Sequence, residues 1–365
     1  VVYDALASIA HAEMLHKIGI LTKAEKNSLI KGLNIIIEKS KNNKFKIKQS
    51  DEDCHTAIEN SLTKMYGNVG KKIHTGRSRN DQILVAIRLY MKDKLNEVKE
   101  KTQILITTLD NKTKKYKSVE IPGYTHMQRA MPSSVEIWLG SFASALSDDL
   151  IHLKSIEQII NQNPLGSVVG YEESSLGLDR DMTTKILGFT KTQDNPLYCA
   201  LSRGKFELLI LQSFSSVMFD LGKLATDLML FTTKEFGFCS LPSEFTTGSS
   251  AMPQKKNYDV CELIRANCSS FNGTLVTIQS IIDKLPSGYN RDLQLTKEPF
   301  MKGVAITIST INIMTLIVDN LEINVENIKK ACTPELYATD EAYKLVKEEG
   351  IPFREAYAIV AQKYK

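Results

Sequence analysis

A chain of 365 residues with 42% apolar and 24% charged side chains has the composition of a folded globular protein, not a disordered one. Its 46 basic and 42 acidic residues leave a net charge of +4, too near balance to argue for a nucleic-acid groove. Six cysteines (Cys54, Cys199, Cys239, Cys261, Cys268, Cys332) are scattered with no Cys-x-x-Cys pair, which argues against a disulfide scaffold or zinc ribbon and suits a reducing cytosol. No stretch reaches the ~18 consecutive apolar residues of a membrane span; the nearest, residues 303–320, is interrupted by Thr, Ser and Asn. No secretory signal is visible, and the start at Val1-Val2-Tyr3 without Met suggests that the natural N-terminus precedes it. Length alone would suggest two or three domains.

In chain order, residues 11–18 and 23–39 read as short helices and 1–76 as an N-terminal helical domain. Residues 78–121 contain no Gly or Pro, and Ile83, Ile87, Tyr90, Met91, Leu95, Val98, Leu105 and Leu109 recur at a spacing of three and four. That marks one face of a helix roughly 60 Å long. Further long helices are predicted over 133–160, with Pro132 as a first-turn proline, and over 197–234, 259–285 and 297–319. The last is apolar nearly all round and is expected inside a bundle. Strand alternation is nearly absent, and Gly and Pro concentrate in connectors at 67–76, 121–132, 163–177, 241–253 and 286–299. Five such helices cannot each nucleate a core, so the expected fold is all-α: an elongated bundle over 77–323 with smaller helical caps, the second over 324–365.

The chemistry is expected in the connectors. Gly248-Ser249-Ser250-Ala251-Met252-Pro253-Gln254-Lys255-Lys256-Asn257 is a small polar loop running into a helix, which offers backbone N–H donors, a positive dipole end and a lysine to an anion. A mobile loop with an N-cap serine is the plain alternative. His74-Thr75-Gly76-Arg77-Ser78-Arg79-Asn80-Asp81 opens the longest helix and reads either as a carboxylate or phosphate cradle or as simple capping by Ser78 or Asn80. In Gly123-Tyr124-Thr125-His126-Met127-Gln128-Arg129 a single histidine lies between a hydroxyl and an amide, and a lone histidine is more often structural than catalytic. Tyr289-Asn290-Arg291-Asp292-Leu293-Gln294 with Lys297 is a fourth polar segment, of a kind surface loops also show. Asp51-Glu52-Asp53-Cys54-His55 fits no standard zinc or calcium spacing. Absence of a Walker loop, Gly-x-Gly-x-x-Gly and Gly-x-Ser-x-Gly disfavours nucleotide cofactors and α/β-hydrolase chemistry.

Together these segments resemble the fumarase/aspartase superfamily. Residues 248–257 are similar to its signature loop Gly-Ser-Ser-x-Met-Pro-x-Lys-x-Asn, and within it residues 74–81 and Tyr124 to Arg129 resemble the argininosuccinate lyase motifs. Tyr289 to Gln294, Asn163-Pro164-Leu165-Gly166 and Leu178-Asp179-Arg180 also fit, in the right order over nearly the whole chain. There are departures. The family carries a stretch of some tens of residues before the position of Tyr3 and a helical portion beyond Lys365, so both termini are expected to be incomplete. Tyr258 replaces a proline. The family's Ser-Asp/Glu-Arg-Asp-Phe reads Ser202-Arg203-Gly204-Lys205-Phe206, with its arginine moved by one place or lost.

The resemblance implies reversible elimination of argininosuccinate to arginine and fumarate, a carbon–nitrogen lyase reaction and the last step of arginine biosynthesis. Removing a proton beside a carboxylate creates an aci-carboxylate, which helix-start N–H groups and Lys255 would stabilise. By the same resemblance Ser249 is the base, His126 the acid or proton relay, and Glu262 the residue that orients and charges His126. Ser78, Arg79, Asn80, Thr125, Gln254, Asn257, Tyr289, Gln294 and Lys297 are implied as substrate clamps. No metal or organic cofactor is expected, since both bonds break heterolytically. Further expectations are a homotetramer with sites shared between subunits, a cytoplasmic location, and neither nucleic-acid nor membrane partners. A sister enzyme such as adenylosuccinate lyase, fumarase, aspartase or a cycloisomerase, or a crystallin-like structural role, is the alternative.

Overall fold

Apolar residues spaced by three and four produce helices wherever the pattern is sustained, and the computed structural model, which describes residues 1–171 and 175–364, is built almost entirely from them. In chain order they are Val2–Lys17, Lys23–Lys41, Cys54–Tyr66, Asn68–Lys71, Arg79–Lys115, Val135–Ile160, Arg180–Ile186, Pro196–Leu201, Lys205–Phe231, Asp259–Ile282, Lys297–Asp319, Val325–Ala331, Ala338–Glu349 and Phe353–Lys363. Among the described residues, strands form three two-stranded pieces: an antiparallel hairpin of Glu120–Thr125 with Gln128–Ser134, a parallel pair Gln162–Asn163 with Lys191–Thr192, and an antiparallel pair Cys239–Ser240 with Glu322–Ile323. The class is all-α, as expected. Residues 172–174 of the predicted 163–177 connector lie outside the described residues.

The chain divides into two compact units: Val1–Val98 with His152–Phe214 and Gly273–Val304, and Lys99–Ile151 with Ser215–Asn272 and Ala305–Lys365. In the first, the N-terminal helices bury Met14, Leu15, Leu29, Leu33, Ile36, Ile58 and Leu62 against one another. Thr22 and Glu25 close a reciprocal capping box at the start of Lys23–Lys41, which fixes where that helix begins. Arg88 is 1% exposed, donates to the carbonyls of Ile160 and Gln162 and to Ser202 Oγ, and lies 4.2 Å over the Phe206 ring. In the second unit, helix Lys205–Phe231 buries Val217, Met218, Leu221, Leu224, Ala225 and Leu228, a helical face. Trp138 Nε1 donates to Asp227 at 3.0 Å, so that indole meets its one polar requirement.

Four sequence expectations are corrected. The first helix starts at Val2, well before residue 11. The 121–132 connector is the β-hairpin, and Pro132 sits in its second strand opposite Pro122, not in a first helical turn. The helix predicted over 197–234 is two, Pro196–Leu201 and Lys205–Phe231, separated by a turn in which Gly204 has φ +77°. Helix Lys297–Asp319 buries Phe300, Val304, Ile311, Met314 and Val318 but leaves Met301, Ile313 and Leu316 exposed, so one chain covers only part of it.

One buried group makes stability depend on pH. In the second unit Asp149 is buried with Oδ2 unpartnered among the described residues, and burial together with the neighbouring Asp220 carboxyl pushes it up to about 7. Unfolded, it ionises near 3.8. Between these values folding takes up a proton, so stability falls as pH rises from about 4 to about 7 and is level above. Asp149→Asn cannot titrate; its melting temperature should exceed that of the parent near pH 8, with the difference closing near pH 4. Coincident melts at both values would mean that the carboxyl is ionised in the folded protein.

Candidate active site

The segment that opens helix Arg79–Lys115 is shaped by capping. Ser78 Oγ accepts the Asn80 N–H at 3.3 Å while Asp81 Oδ1 accepts the Ser78 N–H at 2.9 Å, a reciprocal arrangement. Asp81 is fully buried, and its other oxygen accepts the Gly166 N–H at 2.9 Å; burial outweighs these bonds and pushes it up to about 6. Arg77 is also buried and donates to Ser8 Oγ at 2.8 Å. Arg79 is exposed, and its guanidinium is already engaged: Nε lies 2.9 Å from Asp53, and Nη2 lies 3.0 Å from Glu52 and donates to Thr56 Oγ1 at 2.7 Å. The cradle predicted from the sequence is therefore a capped helix start with Ser78 and Asn80 partly accessible and Arg79 held by two carboxylates.

Behind it lies a cavity of about 180 Å³ lined by Asp4, Ser8, His55, His74, Arg77 and Gln82 among others. His55 Nδ1 is 2.7 Å from Asp4 Oδ2, a pair the sequence did not signal because the two residues are 51 positions apart. Asp4, Cys54 and His55 place possible ligand atoms within 4.8 Å of one another. A cation there would compete with the Asp4–His55 hydrogen bond and face the Arg77 charge, so this donor set is poorly suited to a metal. In the same unit Gln294 Nε2 donates to the Tyr289 hydroxyl at 3.0 Å, and Lys297 begins its helix and lines an apolar pocket with Tyr3, Cys54 and Tyr90.

In the second unit Thr125 pairs with Gln128 across a two-residue turn, His126-Met127, with φ of +53° and +61°. Positive φ at both central residues is the hairpin turn whose twist matches that of its strands. It projects Thr125, His126 and Gln128 into solvent, anchored by Tyr124 against Phe231 and Phe236. The signature loop is pinched shut at its base: Thr247 and Asn257 exchange backbone hydrogen bonds of 3.0 and 2.9 Å. Thr247 Oγ1 also donates to Asp259 at 2.8 Å, which ties the loop to helix Asp259–Ile282. Inside the loop Ser249 Oγ accepts the N–H groups of Met252 at 3.1 Å and Ala251 at 3.3 Å. Gln254 and Lys255 are exposed, and so is Glu262 in the first turn of the helix. Among the described residues no hydrogen bond or ion pair joins Ser249, His126 and Glu262 within one chain.

With this geometry the relatives can be read. A family profile described as "Lyase" matches residues 2–273. The argininosuccinate lyase of Thermotoga neapolitana is 43% identical over 99% of this chain and 90% of its own length, and that of Sorangium cellulosum 44% over 98% and 83%. The chain belongs to the argininosuccinate lyase family. Among solved structures, an EDDS lyase in complex with formate superposes with a TM-score of 0.89 at 26% identity, over 98% of this chain and 70% of that one. A class II fumarase from Schistosoma mansoni gives 0.83 at 18% over 100% and 84%, a likeness of fold. The family is one of carbon–nitrogen lyases.

Asp53 links the site to the fold. It caps helix Cys54–Tyr66 by accepting the Thr56 N–H at 2.8 Å while holding Arg79. Asp53→Ala should lower stability by about 1 kcal/mol, read as a shift in denaturant midpoint, as for loss of a cap. Asp53→Asn keeps an acceptor and gives up only a half-exposed ion pair, so it should cost a few tenths of that. Equal losses would assign the effect to the ion pair.

Proposed function

We propose that this chain carries out the reversible elimination of argininosuccinate to arginine and fumarate, the arginine-forming step of arginine biosynthesis. The observation that carries the reading is 43% identity with an argininosuccinate lyase over 99% of the chain, with the Gly248 to Asn257 loop present in full. Ser249 is the proposed base. The two N–H groups that its Oγ accepts favour negative charge on that oxygen, which is the condition an otherwise weakly acidic hydroxyl must meet. Lys255 and the loop amides stabilise the aci-carboxylate, His126 transfers the proton to or from the guanidino nitrogen, and Glu262 orients His126. Ser78, Asn80, Thr125, Gln254, Asn257, Tyr289, Gln294 and Lys297 hold the carboxylates and the arginine moiety, with Arg79 released from Glu52 and Asp53 or acting through them.

These residues sit on separate loops, and His126, Ser249 and Glu262 are not bonded within a chain, so the reading includes a homotetramer whose sites are built from several chains. Ile137, Phe219, Leu263 and Leu316 on the long helices are exposed large apolar side chains that another copy would cover. The division into 1–76, 77–323 and 324–365 is proposed on the same resemblance, as is a cytoplasmic location, which suits six free cysteines.

Ser249→Ala should reduce turnover by a factor on the order of a thousand while leaving substrate affinity largely intact. Fumarate absorbance with argininosuccinate, against adenylosuccinate as control, reads both the effect and the substrate; retention of activity within about tenfold would remove Ser249 from the base role. Mixing an inactive His126 variant with an inactive Ser249 variant under subunit exchange should restore part of the activity, and no recovery from verified mixed tetramers would place each site within one chain.

A further inference from the structure

Arg203 stands in the turn between helices Pro196–Leu201 and Lys205–Phe231, at the point where the sequence departs from its family. It is 4% exposed, and none of its three guanidinium nitrogens completes a well-directed hydrogen bond among the described residues, although the Tyr289 hydroxyl lies beside it. Such burial is costly for a group that keeps its proton, so its surroundings must compensate. Two do so in part. Its Cζ lies 5.2 Å from the centroid of the Tyr289 ring, within cation–π range. Glu207, itself buried, feels the positive charge of both Arg88 and Arg203, although burial pushes its carboxyl up. That carboxylate, however, accepts the Gly204 N–H at 2.7 Å and is shared between two guanidinium groups. Arg88 meets its own needs with two carbonyls and a hydroxyl. The surplus positive charge therefore rests on Arg203, next to Tyr289.

Position 204, where the family's arginine is expected, cannot carry one in this chain. Gly204 has φ +77°, and a Cβ there would lie 2.4 Å from Ile282 Cγ2. Because residues 202–204 form a turn and not a helix, the ~100° rotation that separates neighbours on a helix does not apply. Tyr289 is meanwhile arranged as a donor: its hydroxyl oxygen accepts from Gln294, leaving its own hydrogen for another partner.

We propose that Arg203 is a positioning residue for substrate binding: it holds the Tyr289 ring by its cationic face and keeps positive charge beside the hydroxyl, which then donates to a substrate carboxylate. This rests on the reading of Tyr289 as a substrate clamp. The competing role is purely structural, with Arg203 balancing the buried Glu207 charge.

Steady-state kinetics with argininosuccinate and calorimetric binding of fumarate separate the two in the assembled enzyme, using R203M, R203K, Y289F and R203M/Y289F. R203M should raise KM and the fumarate Kd by roughly tenfold, as for a charge-dependent hydrogen bond, with a much smaller change in kcat. R203K should lie nearer the parent than R203M does. The double variant should be no worse than the worse single one, since both act through one hydroxyl. A folded R203M with KM and Kd within about twofold of the parent, or single effects that multiply in the double variant, would overturn the proposal. If R203M does not fold, R203K decides: its effect must vanish in the Y289F background, and persistence there overturns the role. A parent without argininosuccinate turnover would overturn the assigned activity instead, and the fumarate arm would still decide Arg203.

Discussion

A guanidinium can leave water only where the protein supplies what water did, and Arg88 shows how much of the first unit follows from meeting that demand. Its donors reach the end of helix Val135–Ile160, the short strand at Gln162 and the turn at Ser202, and its Cζ lies over the Phe206 ring. Two segments distant in sequence, 160–162 and the turn at Ser202, are thereby held against one side chain. Arg77 ties the 74–81 segment to Ser8, and Asp81 ties the same segment to Gly166. A buried charge left without one partner costs far more than an exposed pair contributes, so these contacts specify a single arrangement more than they add to stability. The partly accessible residues beside them, Ser78 and Asn80, inherit fixed positions from these buried groups.

The helices were legible because period and punctuation agreed. Lys297–Asp319 has the bounds the apolar pattern predicts, and Ile87, Met91, Leu95, Val98, Leu105 and Leu109 of the longest helix are buried as the three-and-four spacing requires. The hairpin was not legible. Pro122, Gly123 and Pro132 mark a connector, the strands are short, and the turn is His-Met instead of the Asn-Gly that normally announces positive φ twice. The break at Ser202 to Gly204 was hidden for a related reason: one glycine between two helical patterns does not by itself announce the positive φ that separates them. Charged residues carried the least warning. Arg77, Asp81, Arg88, Arg203 and Glu207 are all buried, and Arg77, Asp81 and Arg88 meet partners that are distant in the chain.

Of the candidate site, the motifs drew attention to these loops but not to their internal hydrogen bonding. Ser78 does cap a helix, which is the plainer of the two readings the sequence allowed for that segment. Arg79 was expected to await an anion; it already holds Glu52 and Asp53, so a substrate carboxylate must compete with two protein carboxylates. The signature loop was expected to offer free amides at a helix start. Two of those amides point instead at Ser249 Oγ, within a loop closed by the Thr247–Asn257 exchange.

That last arrangement explains why the exposed state of these loops and the proposed catalysis are compatible. In water a lysine near an oxyanion contributes about 1 kcal/mol at 4 Å, and in a site screened from solvent the same pair contributes several times more. Gln254, Lys255 and His126 are exposed in the single chain, where their fields are weak. The backbone donors to Ser249 are different: they are internal to the loop and present before any partner arrives. A composite site would leave that preorganised oxygen in place and add desolvation by bringing loops of other chains over it, strengthening every charge at once. On this account the loop supplies geometry, assembly supplies the low dielectric, and Ser249 becomes a strong enough base only where the two coincide.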